Sequence, residues 1–132
     1  MVEFGAPLED AFQEKNAVNT ALEMQEAVAK LCEKWKKENK PTIEIGIGIH
    51  TGHAVIGNIG TEQRMEYTAI GDTVNVASRL EKATKLFKSP ILISETTYKG
   101  INVPLNVINL GPVALPGRTQ EIVAYAVLPH KK

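Results

Sequence analysis

The sequence predicts a single α+β domain, and three patterns predict it. A long run of apolar residues at three- and four-residue steps comes first, then a strict two-residue alternation, then several short apolar runs divided by glycine and proline. At 132 residues the chain allows one domain, and its 43% apolar composition is enough for a core.

Residues 2–6 read as the end of a strand, broken by Gly5 and Pro7. Over residues 9–39, Phe12, Val18, Leu22, Val28, Leu31 and Trp35 fall on one stripe with Ala17, Ala21 and Met24, which predicts one long helix. Lys34, Lys36, Lys37 and Lys40 suit the negative end of its dipole, and Pro41 ends it. Residues 42–50 alternate: Ile43, Ile45, Ile47 and Ile49 on one face, Glu44, Gly46, Gly48 and His50 on the other. This predicts a strand with a nearly bare second face, where another backbone or a ligand can come close. Gly52, Gly57 and Gly60 then predict a turn region, followed by a second strand over residues 65–70. Asp72 is the expected N-cap of a helix running through Val74, Ala77, Leu80 and Ala83 to Thr84. A short strand (91–93), a helical turn (95–98) and strands near 103–110 and 121–127 complete the chain, punctuated by Pro112, Pro116 and Gly117.

Fifteen Lys and Arg balance fifteen Asp and Glu, which argues against a nucleic-acid or anionic-membrane surface. The longest apolar runs are only a few residues, far short of the roughly 20 that span a bilayer, and no signal-peptide pattern opens the chain. Cys32 stands alone, so neither an intrachain disulfide nor a cysteine-based metal site is possible. Together with an intracellular triphosphate as the implied substrate, discussed below, these points predict a cytoplasmic chain, whose parent could still be anchored through other domains.

The chemistry concentrates in residues 46–85: a strand, a glycine-rich turn, a strand and a sharply started helix. Asn75 and Arg79 lie four apart on that helix and so share a face. A neutral amide beside a fixed guanidinium suits a phosphate ester with a nearby sugar oxygen. Spacing alone favours the plainer alternative, in which Asn75 joins the cap network of Asp72 and Arg79 pairs with a surface carboxylate.

The runs Gly48-Ile49-His50-Thr51-Gly52, Gly57-Asn58-Ile59-Gly60 and Tyr67 through Glu81 (YTAIGDTVNVASRLE) resemble the catalytic domain of class III nucleotidyl cyclases, the adenylate and guanylate cyclases. Phe4-Gly5-Ala6-Pro7 and Ala21-Leu22-Glu23-Met24 are similar to it too, and the likeness is weakest after Lys99. The resemblance implies cyclisation of a nucleoside triphosphate: the ribose 3′-oxygen attacks the α-phosphate and pyrophosphate leaves. It implies that Asn75 orients the ribose and that Arg79 stabilises charge developing on the α-phosphate. Thr68 matches the position that reads the base and favours ATP over GTP.

The resemblance also implies what these 132 residues lack. The family's Mg or Mn ions are held by two aspartates upstream of the Phe-Gly-Ala-Pro segment, and a base-reading lysine is absent as well. Arg118 is the candidate triphosphate ligand, although Pro116 stands where the family often has lysine. Glu9, Asp10 and Glu14 read as a solvated helix start, and His50 and His53 need not share a face; neither group restores the metal geometry. The expectation is therefore a partial catalytic domain over residues 1–132, inactive alone. Its implied fold is ferredoxin-like and N-terminally truncated, an antiparallel sheet with helices on one face. Family sites form between subunits, so a homodimer or a cyclase partner subunit is expected, with contact through residues 57–67 and strand addition at the exposed edge. The alternative is a non-catalytic cyclase-homology module that serves as a dimerisation or nucleotide-binding partner.

Overall fold

The computed structural model describes residues 2–5, 9–61, 64–101, 104–115 and 121–128. Its elements are α1 (Gln13–Lys37), β1 (Ile47–Ile49), β2 (Val55–Thr61), β3 (Arg64–Ile70), α2 (Asp72–Leu86), β4 (Ile91–Ser94), α3 (Glu95–Lys99), β5 (Val107–Ala114) and β6 (Glu121–Val127). Four strands form one sheet in the order β1-β4-β6-β5, and β2 with β3 form a separate antiparallel ribbon.

The α+β class holds, with two corrections to the expected arrangement. The sheet is mixed, because β1 and β4 are parallel while β4–β6 and β5–β6 are antiparallel. A parallel pair needs a crossover, and here the ribbon and α2 supply it. Nor are the helices on one face. Ile91 and Ile93 of β4 pack with Val18, Ala21 and Leu22 of α1, whereas Leu92 between them packs with Val76, Leu80 and Ala83 of α2. Successive strand residues point to opposite faces, so the two helices sandwich the sheet.

This sandwich explains the isoleucine–glycine alternation. Ile47 and Ile49 join the core under α1. Gly48 faces α2, where an added Cβ would stand 2.6 Å from the Ala77 carbonyl oxygen and 2.8 Å from the Leu80 Cβ, with the Glu81 amide nitrogen nearer still. The bare face was indeed where another backbone comes close.

Other departures have local causes. The strand expected over residues 42–50 pairs only at Ile47–Ile49. Earlier carbonyls are met from α1 instead: Gln25 Nε2 donates to the Ile45 oxygen at 3.0 Å and Cys32 Sγ to the Ile43 oxygen at 3.2 Å. The glycine-rich stretch expected to be turn contains β2, because every position from Val55 to Thr61 finds a partner on β3. β5 runs through Gly111-Pro112 rather than stopping there. It is an edge strand, bulged between Asn109 and Gly111, and an edge tolerates proline.

Both long helices end in the same way. The Lys40 amide donates to the Trp35 oxygen and Asn39 to Lys36; the Ser89 amide donates to Thr84 and Lys88 to Lys85. These are Schellman closures, with Asn39 (φ 58°) and Lys88 (φ 50°) in the left-handed position. Lysine is strained there and glycine is not, so Lys88→Gly is expected to raise stability by up to about 1 kcal/mol. A lowered urea midpoint would contradict that assignment.

Candidate functional site

The candidate residues are carried by the ribbon-to-helix junction. β3 runs to Ile70, Gly71 turns the chain at φ 131°, and α2 begins at Asp72. Gly71, not Asp72, is the N-cap, and Asp72 occupies the first turn, where its charge still suits the dipole. One stripe of α2 (Val76, Leu80, Ala83) is buried against the sheet. Asn75 and Arg79 lie on the adjacent stripe, Asn75 exposed and Arg79 half-buried, and Lys82 continues it one turn further.

Neither plain alternative for this pair is found among the described residues. The α2 N-terminus has no side-chain cap bond, so Asn75 is not part of a cap network, and its amide makes the ordinary helical bond to the Gly71 oxygen at 3.2 Å. The ion pairs between described residues are Lys40–Glu38 and Lys99–Glu95, so no described carboxylate holds Arg79. An exposed amide and a half-buried guanidinium therefore share one helix face without a side-chain partner among the described residues. Arg has five donors in a fixed fork that fits phosphate oxygens bidentately.

Thr68 lies on β3 opposite Gly57, four residues before α2 starts; its side chain is outside the described set. Arg118 is outside the described residues altogether. The structure thus brings Asn75 and Arg79 together and puts Thr68 on the strand that leads into their helix.

Pattern reading missed the polar contacts around the end of β1, one of which reaches the start of α2. His50 Nδ1 and Ser94 Oγ are 2.7 Å apart, Ser94 Oγ and Thr97 Oγ1 3.2 Å, and Thr51 Oγ1 and Thr97 Oγ1 2.9 Å. Thr96 Oγ1 donates to the Thr51 carbonyl at 3.0 Å. Thr73 Oγ1, in the first turn of α2, donates to the His53 carbonyl at 2.5 Å, and Gly52 leaves room for that approach. The His50-Thr51-Gly52 run therefore ties the end of β1 to β4, α3 and the start of α2. Its partners on β4 and α3 lie more than 40 residues downstream, and Thr73 lies 20 residues beyond His53, separations that no local pattern reveals. Thr97 is fully buried, so Thr97→Val would strand its partners. It is expected to cost about 1–3 kcal/mol in a urea titration; an unchanged midpoint would show the network to be dispensable.

No three described His, Cys, Asp or Glu side chains stand close enough to hold an ion. Asp10 is committed to the start of α1, accepting from the Phe12 amide at 2.9 Å and from Asn16 Nδ2 at 2.8 Å. His50 Nδ1 is within hydrogen-bond distance of Ser94 Oγ. No described helix is long and apolar enough to cross a membrane.

A groove of about 660 Å³ runs beside β1, with α1 on one wall and α2 on the other. Thr73, Val74, Ala77, Ser78 and Glu81 form the α2 wall; Asn75 and Arg79 are not among its lining. The candidate pair thus faces outward on a neighbouring stripe and is open to a partner.

A fold of this kind, with an Asn-x-x-x-Arg helix after a glycine-started turn, defines a nucleotide-cyclase type of domain. The family model described as "Adenylate and Guanylate cyclase catalytic domain" matches residues 1–129, and the chain belongs to that family. It is 33% identical over 125 residues to "Adenylate cyclase 1" of Rhizobium meliloti (strain 1021), covering 95% of this chain and 19% of that protein. Among solved structures it resembles the adenylyl cyclase CyaB from P. aeruginosa, with a TM-score of 0.85 and 32% identity over 98% of this chain and 66% of that one. It also resembles the guanylyl cyclase Cya2, with a TM-score of 0.83 and 31% identity over 98% and 64%. The chain therefore spans under a fifth of the first relative and just under two thirds of each solved chain.

Proposed function

We propose that this chain supplies one half of a cyclase active site, the half that grips the ribose and α-phosphate, in conversion of ATP to a 3′,5′-cyclic nucleotide and pyrophosphate. The observation that carries this is the Asn75–Arg79 pair, side by side on α2 and unpartnered among the described residues, within a chain of cyclase family. In the reaction the ribose 3′-oxygen forms a bond to the α-phosphorus, the bond from that phosphorus to the β-phosphate bridge breaks, and the 3′-hydroxyl proton passes to solvent. Asn75 holds the ribose so that its 3′-oxygen lies in line. Arg79 donates to the α-phosphate oxygens, whose charge grows as the new bond forms, and such a placed donor stabilises the transition state more than the ground state. Thr68 is assigned to the base, and its hydroxyl, accepting from the adenine amino group, favours ATP. Arg118 is assigned to the triphosphate.

The family's divalent cation, Mg²⁺ or Mn²⁺, has no ligand set among the described residues, so no step is assigned to it here. A partner cyclase subunit has to bring the metal-holding carboxylates against α2. By itself the 132-residue chain is expected to form no cyclic nucleotide from ATP and Mn²⁺. Product well above background, abolished by Arg79→Ala, would overturn the half-site reading.

A further inference from the structure

We propose that Lys82 of α2 is the cation that holds the β- and γ-phosphates of the bound triphosphate, and the pyrophosphate formed from them, next to Arg79. The proposal deepens the half-site reading above and rests on it.

α2 is helical from Asp72 to Leu86. At about 100° per residue, Lys82 lies about 20° round the helix from Asn75 and about 60° from Arg79, so the three share one stripe. Val76, Leu80 and Ala83 occupy the stripe beside it and are buried against the sheet. Order along the exposed stripe follows order along a nucleotide. Thr68, assigned to the base, lies on β3 before the helix begins. Asn75, assigned to the ribose, comes next. Arg79, assigned to the α-phosphate, stands about 6 Å further along the axis, and Lys82 about 4.5 Å beyond that. A triphosphate that continues in the same direction brings its β- and γ-phosphates to Lys82.

The side chain is available for that contact. Lys82 is exposed, and no described carboxylate pairs with it. Its ammonium carries three donors on a flexible stem, which suits phosphate oxygens that shift as the pyrophosphate departs. Lys85 is exposed too, but it lies about 120° round the helix from Arg79 and so off the stripe. Lys82 also supplies charge that is otherwise short here, because Pro116 stands where the family often has a triphosphate-holding lysine. The β- and γ-phosphate oxygens are charged before and after the bond to the α-phosphorus breaks. A grip on them is shared by substrate and transition state, so Lys82 governs affinity for ATP and pyrophosphate rather than turnover.

The test mixes the full chain with a complete class III catalytic domain that carries alanines at the positions aligned with Asn75 and Arg79, and supplies ATP and Mn²⁺. Lys82→Ala is expected to raise the KM for ATP and the inhibition constant of pyrophosphate by about tenfold each. Its kcat should change by less than about threefold. Lys82→Arg should restore both constants, Lys85→Ala should leave them at the wild-type values, and Arg79→Ala should lower kcat instead. Unchanged constants in Lys82→Ala, or an equal rise in Lys85→Ala, would overturn this proposal, while lost turnover in Arg79→Ala would leave the half-site reading standing. A mixture without activity, or one indifferent to Arg79→Ala, would overturn both.

Discussion

Gly48→Val is expected to be among the most destabilising single substitutions in this protein. An added Cβ at Gly48 meets the Ala77 carbonyl oxygen, the Glu81 amide and the Leu80 Cβ, two of them backbone atoms of α2. Backbone cannot rotate aside, so relief requires α2 to lift from the sheet. That would uncover Val76, Leu80 and Ala83, all of them buried. Gly48→Ala is expected to cost about 1–3 kcal/mol, and valine more, a large share of the roughly 5–15 kcal/mol of a typical domain. Gly46 provides the control. There the two nearest atoms to an added Cβ belong to the Thr84 side chain and the Glu81 carbonyl oxygen is at 3.4 Å, so relief requires Thr84 to shift rather than the α2 backbone and Gly46→Ala should cost less. Urea midpoints for the two alanine variants decide the matter. Equal midpoints would remove the close approach of α2 as the reason for the Ile-Gly alternation.

Arg79→Ala is expected to have the largest effect on activity and almost none on folding. Arg79 is half-buried and has no described ion-pair partner, so its removal should change stability by no more than about 0.5 kcal/mol. In an assembled cyclase site the same change should lower turnover by about 10²–10³, the loss typical of one preorganised donor to a developing oxyanion. Arg79→Lys should recover little of it, because an ammonium cannot reproduce the bidentate fork. A parallel fall in stability and turnover would make Arg79 a structural residue instead.

Much of this was legible in the sequence, and the remainder was not for identifiable reasons. The α1 stripe, the alternation around Ile47 and the strand Glu121–Val127 follow from local periodicity, and each formed, although the alternation pairs over only three residues. β2 did not announce itself, because Gly57 and Gly60 signal a turn and only pairing with β3 overrides them. Parallel pairing of β1 with β4, and helices on both faces, depend on contacts across the chain that periodicity does not encode. The buried Thr97 hydroxyl was equally silent, since its partner Thr51 lies 46 residues upstream.

For the site, four-residue spacing placed Asn75 and Arg79 together, but spacing alone preferred a cap and a surface ion pair. The structure shows neither among the described residues. Their proposed chemical roles come from the family resemblance. The balanced net charge also gains meaning: recognition of a triphosphate would depend on a few placed cations rather than a basic surface.

Whether α2 carries half of a cyclase site is read most directly by complementation. The chain is mixed with a complete class III catalytic domain that carries alanines at the positions aligned with Asn75 and Arg79, and cyclic nucleotide formed from ATP and Mn²⁺ is measured. Neither protein alone should be active, the mixture should form product, and Arg79→Ala in this chain should abolish it. A mixture that is inactive although the two proteins associate, or one whose activity survives Arg79→Ala, would contradict the assignment.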